Sequence, residues 1–186
     1  MALSSDNIRL VFWLAIIPAL VAVAILMTLV REPEQPRAEA ATRRPRLDRT
    51  SLAALGRGFW LVAGAGAAMT LARISEAFLI LRAEGAGLPF ALAPAVLVTM
   101  NVVYAALAWP MGALSDRIGK RGLLTAGFAV LVLADVVLAL AGGLGAVALG
   151  VVLWGVHMAL TQGALAALVA DAAPAPLRGT AFGVFN

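Results

Sequence analysis

Long apolar runs separated by short polar stretches dominate the chain. A helix needs about 20 apolar residues to cross about 30 Å of hydrocarbon at a rise of about 1.5 Å per residue. Five runs in the chain reach this length. A sixth apolar stretch begins at Gly179 and reaches only Asn186, which is too short to span. The pattern predicts an all-α polytopic membrane helix bundle with the start of a sixth transmembrane helix after five complete ones. The five complete runs are 10–30, 58–81, 88–114, 122–142 and 145–170.

The segment 31–57 contrasts with these runs. It holds seven arginines and three prolines, and it has almost no apolar stripe of helical period. Such a segment predicts a solvated linker between the first transmembrane helix, 1–30, and the remaining spans, 58–186. The first run is longer than the roughly 7–15 apolar residues of a signal peptide, so we expect a retained helix.

Composition narrows the class of protein. Apolar residues make up 62% of the 186 residues and charged residues 13%, against roughly 45–50% and 25% in soluble domains. These proportions exclude an ordinary water-soluble enzyme, and no sequence motif of an intramembrane enzyme is present. Because the chain has no cysteine and one histidine, we expect neither a metal site nor a bound cofactor.

The basic residues predict the orientation. The 14 Lys and Arg residues cluster in a few segments, which indicates membrane topology rather than a nucleic-acid partner. Placing the linker 31–57 in the cytoplasm brings eleven of them to the cytoplasmic side. We therefore expect an integral protein of a bacterial-type plasma (inner) membrane, with the lipid bilayer as its first partner.

The most specific motif lies between the third and fourth predicted spans. Residues 112–121 read Gly-Ala-Leu-Ser-Asp-Arg-Ile-Gly-Lys-Arg. We expect an inner loop in which Gly112 ends a helix and Asp116 accepts hydrogen bonds or faces a helix N-terminus. Its cations would hold the loop at the anionic leaflet. The motif residues are Gly112, Asp116, Arg117, Gly119, Lys120 and Arg121. The alternative is a plain positive-inside loop.

This segment matches the pattern G-x-L-x-D-R-x-G-[RK]-[RK]. Because of this pattern, the chain resembles transporters of the major facilitator superfamily. Residues 171–183 are similar to the P-x-x-x-R-G-x-x-x-G pattern that joins the tenth and eleventh helices in many relatives. One departure concerns the family's R-x-x-Q-G motif: Gln162 and Gly163 are present, but Ala159 stands in place of the arginine. No arginine role carries over to that position.

The resemblance implies a fold of twelve helices in two halves and a loop whose aspartate, Asp116, latches helices differently in the inward- and outward-open states. The chain resembles helix six (1–30), the central cytoplasmic loop (31–57), and helices seven to ten with the start of eleven (58–186). On this resemblance we expect a C-terminal half fragment of a secondary active transporter, a symporter or antiporter that moves a small solute by alternating access. The missing N-terminal half would be its partner.

Polar groups within the predicted spans are candidates for the substrate or proton site, because ionisable groups at membrane depth cost at least about 2.5–3.5 kcal/mol. Arg73 and Glu76 lie three residues apart and close enough to pair. At 100° per residue Gly66, Thr70, Arg73 and Ala77 would form one polar and small face. The resemblance places this helix beside the central cavity, which makes the pair the leading candidate. A structural ion pair or snorkelling is the alternative.

The remaining candidates are His157, Asp135, Asn101 and Gln162. Histidine titrates near neutral pH, which suits a proton as coupling ion, but a lone histidine bonded to a neighbouring helix is equally expected. Asp135 falls on a helix that the resemblance makes peripheral, so it either finds a partner in helices outside this chain or stays protonated. Asn101 and Tyr104 suit either a pore lining or interhelical hydrogen bonds, and Pro94 and Pro110 are expected to bend their helix.

A second hypothesis treats the chain as a short membrane protein that oligomerises and acts as a binding or structural subunit. Gly155, Ala159 and Gly163 form a small-xxx-small stripe that lets another helix approach closely. The sequence does not separate drugs, sugars, amino acids and organic anions as substrates.

Overall fold

The computed structural model describes residues 8–29, 49–73 and 75–186. The chain divides into two compact units, 1–44 and 45–186. In the first unit, helix α1 (Ile8–Leu29) contains Pro18 and exposes large apolar side chains such as Trp13 and Met27. An apolar surface of this kind suits contact with lipid. The predicted span 10–30 is therefore helical as far as Leu29, and Val30 lies outside the described residues.

The second unit contains six α-helices among its described residues, and no strand occurs there. The fold class predicted from the apolar runs, an all-α membrane helix bundle, is confirmed. Within the described part of the chain, three helical stretches are long and apolar enough to cross a membrane: Gly56–Gly85, Phe90–Leu140 and Leu144–Ala172. The helices are α2 (Arg49–Ala54), α3 (Gly56–Ala72), α4 (Glu76–Gly85), α5 (Ala93–Leu140), α6 (Leu144–Ala172) and α7 (Arg178–Phe185).

Helix α5 contains two spans joined at Gly119. This glycine has φ 79° and ψ 154°, which breaks the helix into α5a (93–118) and α5b (120–140). These halves correspond to the predicted spans 88–114 and 122–142. The expectation of a loop over 112–121 was wrong, since every residue of that segment except Gly119 is helical. Gly112 does not end a helix, and the positive φ that only glycine adopts readily is found at Gly119.

The predicted span 58–81 is interrupted. Helix α3 ends at Ala72, Arg73 is extended with ψ 122°, and Ser75 caps the start of α4 by accepting a hydrogen bond from the Ala77 N–H at 3.4 Å. The predicted polar and small face of Gly66, Thr70, Arg73 and Ala77 was wrong, because these residues do not lie on one continuous helix. Gly66 belongs to a different contact, as its backbone packs against the Phe185 ring of α7.

The ends of the other helices follow from local backbone chemistry. Pro89 and the 3₁₀ turn Phe90–Leu92 precede α5, so Pro94 lies in the first helical turn, where its missing N–H is tolerated. The expected bend at Pro94 was therefore wrong. The predicted linker 31–57 is described only from Arg49 onwards, where α2 and the first turn of α3 are helical and Leu55 is buried. Packing thus begins before the predicted boundary at Gly58.

Helix α6 is the centre of the second unit and packs along both halves of α5. A Cβ on Gly155 would lie 2.6 Å from the Met100 carbonyl oxygen and 2.8 Å from the Val103 Cβ, so α5a crosses α6 at this glycine. Ala159 is buried as well. Gly155 and Ala159 of the small-xxx-small stripe therefore pack against other residues of the second unit. This packing places the polar side chains of α6 next to α5b and the α3–α4 break.

Candidate functional site

An ion pair spans the break between α3 and α4. Arg73 Nη2 lies 3.5 Å from Glu76 Oε1, and the side chains are 25% and 41% exposed. The pairing expected from the three-residue spacing is therefore present. It does not arise from one helix face, however, because Arg73 has left α3 and Glu76 is the first residue of α4. A carboxylate in the first turn also interacts favourably with the positive end of α4.

Trp154 of α6 contacts this pair and a second acidic residue. The Arg73 Cζ atom lies over the indole at 5.5 Å from the ring centroid, within the range of a cation–π interaction. The indole Nε1–H donates to Asp135 Oδ1 of α5b at 3.3 Å. Asp135 therefore has a hydrogen-bond partner within this chain, which the expectation of a partner in other helices did not include. Periodicity along α5b carries no information about the neighbouring helix, and Trp154 was missed for that reason.

A cavity of about 240 Å³ lies beside Trp154, between α4, α5b and α6. Its walls are mostly apolar, from Phe78, Leu79 and Leu138, with Asp135 and Arg82 also lining it. The Arg82 guanidinium donates to the carbonyl oxygens of Leu138, at 2.9 Å, and of Ala141. These carbonyls belong to the C-terminal turn of α5b, where no helical N–H is available, so Arg82 caps that helix.

His157 lies one turn beyond Trp154 on α6 and is fully buried. Its Nδ1 is 2.9 Å from the Gly127 carbonyl oxygen of α5b, and because a carbonyl only accepts, Nδ1 carries the proton. Nε2 has no hydrogen-bond partner among the described residues. A Cβ on Gly127 would lie closer than 3.0 Å to Thr161 Cγ2, so the bond depends on glycine at this crossing. The predicted bond between a lone histidine and a neighbouring helix is thus present.

The other predicted site residues are not brought into this group by any described contact. Asn101 is exposed and donates to the Leu97 carbonyl oxygen of its own helix at 2.9 Å. Tyr104 is half-buried and packs against the core, and Gln162 is half-buried on α6.

The motif residues form a separate region at the Gly119 bend. Lys120, the first residue of α5b, forms an ion pair with Asp171 in the last turn of α6. Asp116, Arg117 and Arg121 are exposed. A second cavity of about 240 Å³ lies here, lined by polar residues including Asp116 and by small residues of α6. Asp171 was not singled out from the sequence, although its acidic charge at a helix end opposite the basic motif was the available indication.

Arg178 continues this arrangement at the other end of the α6–α7 turn. Its Nε donates to the Ala170 carbonyl oxygen at 3.2 Å, which satisfies one of the free carbonyls at the α6 C-terminus. Pro174 and the 3₁₀ turn Ala175–Leu177 separate the two helices. The segment 171–183 therefore joins one long helix to the next element, as its pattern implied.

Comparisons with known proteins agree on one family. The family model of the Major Facilitator Superfamily matches residues 1–186. An uncharacterized MFS-type transporter of Methanocaldococcus jannaschii is 31% identical over 125 residues, which cover 64% of this chain and 31% of that relative. No solved structure matches. The bend motif, the long apolar helices and the match along the whole sequence lead to one conclusion, that this chain belongs to the Major Facilitator Superfamily.

Proposed function

We propose that the chain forms part of a secondary active transporter that moves a small solute by alternating access. The observation that carries this proposal is the Arg73–Glu76 ion pair at an interruption of a membrane-length helix. Charged residues at membrane depth are costly and face partners or water-filled paths. Interrupted transmembrane helices free backbone groups where a solute or an ion binds.

Within this proposal, residues 58–186 supply the first helices of the second six-helix half, and the linker 31–57 lies in the cytoplasm. Support comes from the motif at the Gly119 bend and from the family match. The aligned region is less than a third of the length of the M. jannaschii relative. The solute would therefore also contact helices that this chain does not supply.

Glu76 is the group that we propose to couple a proton to the solute. Its carboxylate is half-exposed and has one long contact, to Arg73 at 3.5 Å. A carboxylate held this weakly is available to exchange its guanidinium partner for a proton. Glu76→Gln keeps the size of the side chain but cannot exchange a proton, so this variant tests the proposed proton coupling alone.

The test uses membrane vesicles that contain the complete transporter and a pH-sensitive dye. Representative drugs, sugars, amino acids and organic anions are added one class at a time, and solute-induced proton movement is recorded. We expect one class to move protons and Glu76→Gln to lower that rate by about 100-fold or more, since a positioned proton-transfer group typically contributes at least about that factor. Glu84→Gln, a matched carboxylate change later in α4, is the control.

Two results would count against the proposal. Unchanged proton-driven flux in Glu76→Gln would remove Glu76 from the coupling step. Solute uptake that is unaffected by Arg73→Gln as well would remove the ion pair from the transport site altogether.

A further inference from the structure

We propose that Asp135 positions Arg73 by orienting the Trp154 indole between them. Two contacts on the same side chain carry this inference: Asp135 Oδ1 accepts from the indole Nε1–H at 3.3 Å, and Arg73 Cζ lies 5.5 Å from the ring centroid. The inference rests on the proposed function, which places the Arg73–Glu76 ion pair in the transport site, and it extends that function by making Arg73 a contact of the solute. It gives Asp135 of α5b a role, which the transport proposal does not do.

The first step concerns the orientation of the ring. Trp154 is only 1% exposed, so its indole N–H needs an acceptor within the protein. Asp135 is the acceptor that the structure provides, and it lies on the neighbouring helix. The hydrogen bond fixes one edge of the ring, and His157 meets the ring edge-on with centroids 6.1 Å apart. The ring therefore has little freedom to rotate.

The second step concerns the guanidinium group. Arg73 follows the last residue of α3 and is extended, so its side chain is not aligned by a continuous helix. Its two described contacts are Glu76 at 3.5 Å and the Trp154 ring. The face of an indole ring attracts a cation that lies over it within about 6 Å. The ring therefore helps to hold the Arg73 guanidinium at the place from which it offers hydrogen bonds to an anionic or polar group.

The competing account is that Asp135 acts on Arg73 through its charge, without the indole. The two accounts differ in what asparagine does at position 135. Asparagine retains an oxygen that accepts the indole hydrogen bond but has no charge. Leucine removes both the acceptor and the charge at similar volume. Only the positioning account expects Asp135→Asn to behave like the wild type while Asp135→Leu does not.

The spectroscopic test uses a background in which Trp154 is the one tryptophan. Trp13, Trp60 and Trp109 are exposed and are replaced by phenylalanine, leaving a single indole N–H signal in a proton–nitrogen NMR spectrum of the protein in detergent micelles. We expect Asp135→Asn to keep the downfield proton shift of a hydrogen-bonded indole. We expect Asp135→Leu to move it upfield. An Asp135→Leu signal that coincides with the wild type would overturn the hydrogen bond.

The chemical test follows Arg73 itself. Phenylglyoxal modifies free guanidinium groups, and mass spectrometry of the digested protein gives the rate at Arg73, with exposed Arg121 as an internal reference. Asp135→Leu is expected to raise the Arg73 rate by about 3- to 30-fold, which corresponds to the free energy of a cation–π contact. Asp135→Asn is expected to restore the wild-type rate. Equal rates in Asp135→Asn and Asp135→Leu would overturn the proposal.

A second variant keeps the test decisive if Asp135→Leu fails to fold. Trp154→Phe retains an aromatic face but has no indole N–H, so Asp135 can no longer orient it. We expect faster modification of Arg73 in Trp154→Phe, and no added effect when Asp135→Asn is combined with it. Glu84→Gln is the matched control and should leave the Arg73 rate unchanged. A wild-type Arg73 rate in Trp154→Phe would overturn the role of the indole.

Transport kinetics connect the positioning role to the proposed function. In the complete transporter we expect Asp135→Leu to raise KM for the solute more than it lowers kcat, and Asp135→Asn to restore KM. The NMR and modification results do not depend on transport. Altered Arg73 reactivity with unchanged KM would therefore contradict Arg73 as a solute contact while leaving the Asp135–Trp154–Arg73 linkage intact.

Discussion

At the level of single residues, sequence spacing predicted contacts within one segment and missed contacts between helices. The Arg73–Glu76 pair follows from three-residue spacing, and it forms even though the helix is broken between the two residues. Asp135 has the right residue type for a buried functional group, but its partner Trp154 is 19 positions away on another helix. Helical periodicity relates residues along one helix and gives no register between two helices.

The Gly127 crossing gives a prediction at this scale. Replacing Gly127 by alanine puts a Cβ closer than 3.0 Å to Thr161 Cγ2 and 3.2 Å from the Leu160 Cβ. The Leu160 Cβ is fixed to the backbone, and the Thr161 methyl is held because the hydroxyl of the same side chain donates to the His157 carbonyl oxygen at 2.9 Å. Helices α5b and α6 must therefore move apart, which strains the His157–Gly127 hydrogen bond. We expect Gly127→Ala to destabilise the protein by roughly 1–3 kcal/mol in thermal unfolding followed by circular dichroism.

Gly163 provides the matched control for this change. It lies on α6 as well, and among the described residues an added Cβ would meet no atom within 4 Å. Gly163→Ala should leave the unfolding temperature the same or raise it, because alanine is the better helix former. Equal unfolding temperatures for Gly127→Ala and Gly163→Ala would mean that α5b and α6 do not approach closely at Gly127.

At the level of helices, hydropathy predicted which stretches are helical better than where each helix ends. The predicted spans 88–114 and 122–142 lie within α5a and α5b except at their outer ends, yet the bend falls at Gly119 instead of Gly112. Both glycines fit the motif, and an apolar run carries no information about φ. Likewise, Arg73 and Glu76 mark polar positions within the run 58–81, but polar residues also occur within continuous helices, so the run did not predict that the helix ends at Ala72.

The bend itself is testable by substitution of the two glycines. Gly119 has φ 79° and ψ 154°, so a side chain there is strained by about 1–3 kcal/mol, whereas Gly112 lies in a regular helix. We expect Gly119→Ala to lower stability by that amount in reversible denaturation in detergent. Gly112→Ala should be neutral or slightly stabilising. A Gly112→Ala variant that is the less stable of the two would place the bend at Gly112, as the motif alone suggested.

At the level of the whole second unit, α5b and α6 form an antiparallel pair whose two ends are fixed by charged side chains. Arg82 caps α5b next to the 141–143 turn, and Lys120 pairs with Asp171 at the opposite end. The distribution of basic residues predicted the charged end at Lys120, but it gave no contact for Arg82. In the structure the guanidinium donates to carbonyl oxygens at the C-terminal end of α5b, where the helix dipole favours a cation. Such a capping contact depends on three-dimensional proximity and has no pattern in the sequence.

The transmembrane arrangement that follows from this pair is directly testable, because the chain contains no cysteine and each introduced cysteine is a unique label site. The residues 120–140 of α5b extend about 31 Å at 1.5 Å per residue, which matches the hydrocarbon thickness. Arg121 lies in the first turn of this helix and Gly142 follows its last turn, and both are exposed. We expect a membrane-impermeant maleimide to label Gly142→Cys in intact cells and Arg121→Cys only after permeabilisation. Labelling of both from the same side would show that α5b does not cross the membrane, and the reverse pattern would invert the proposed orientation.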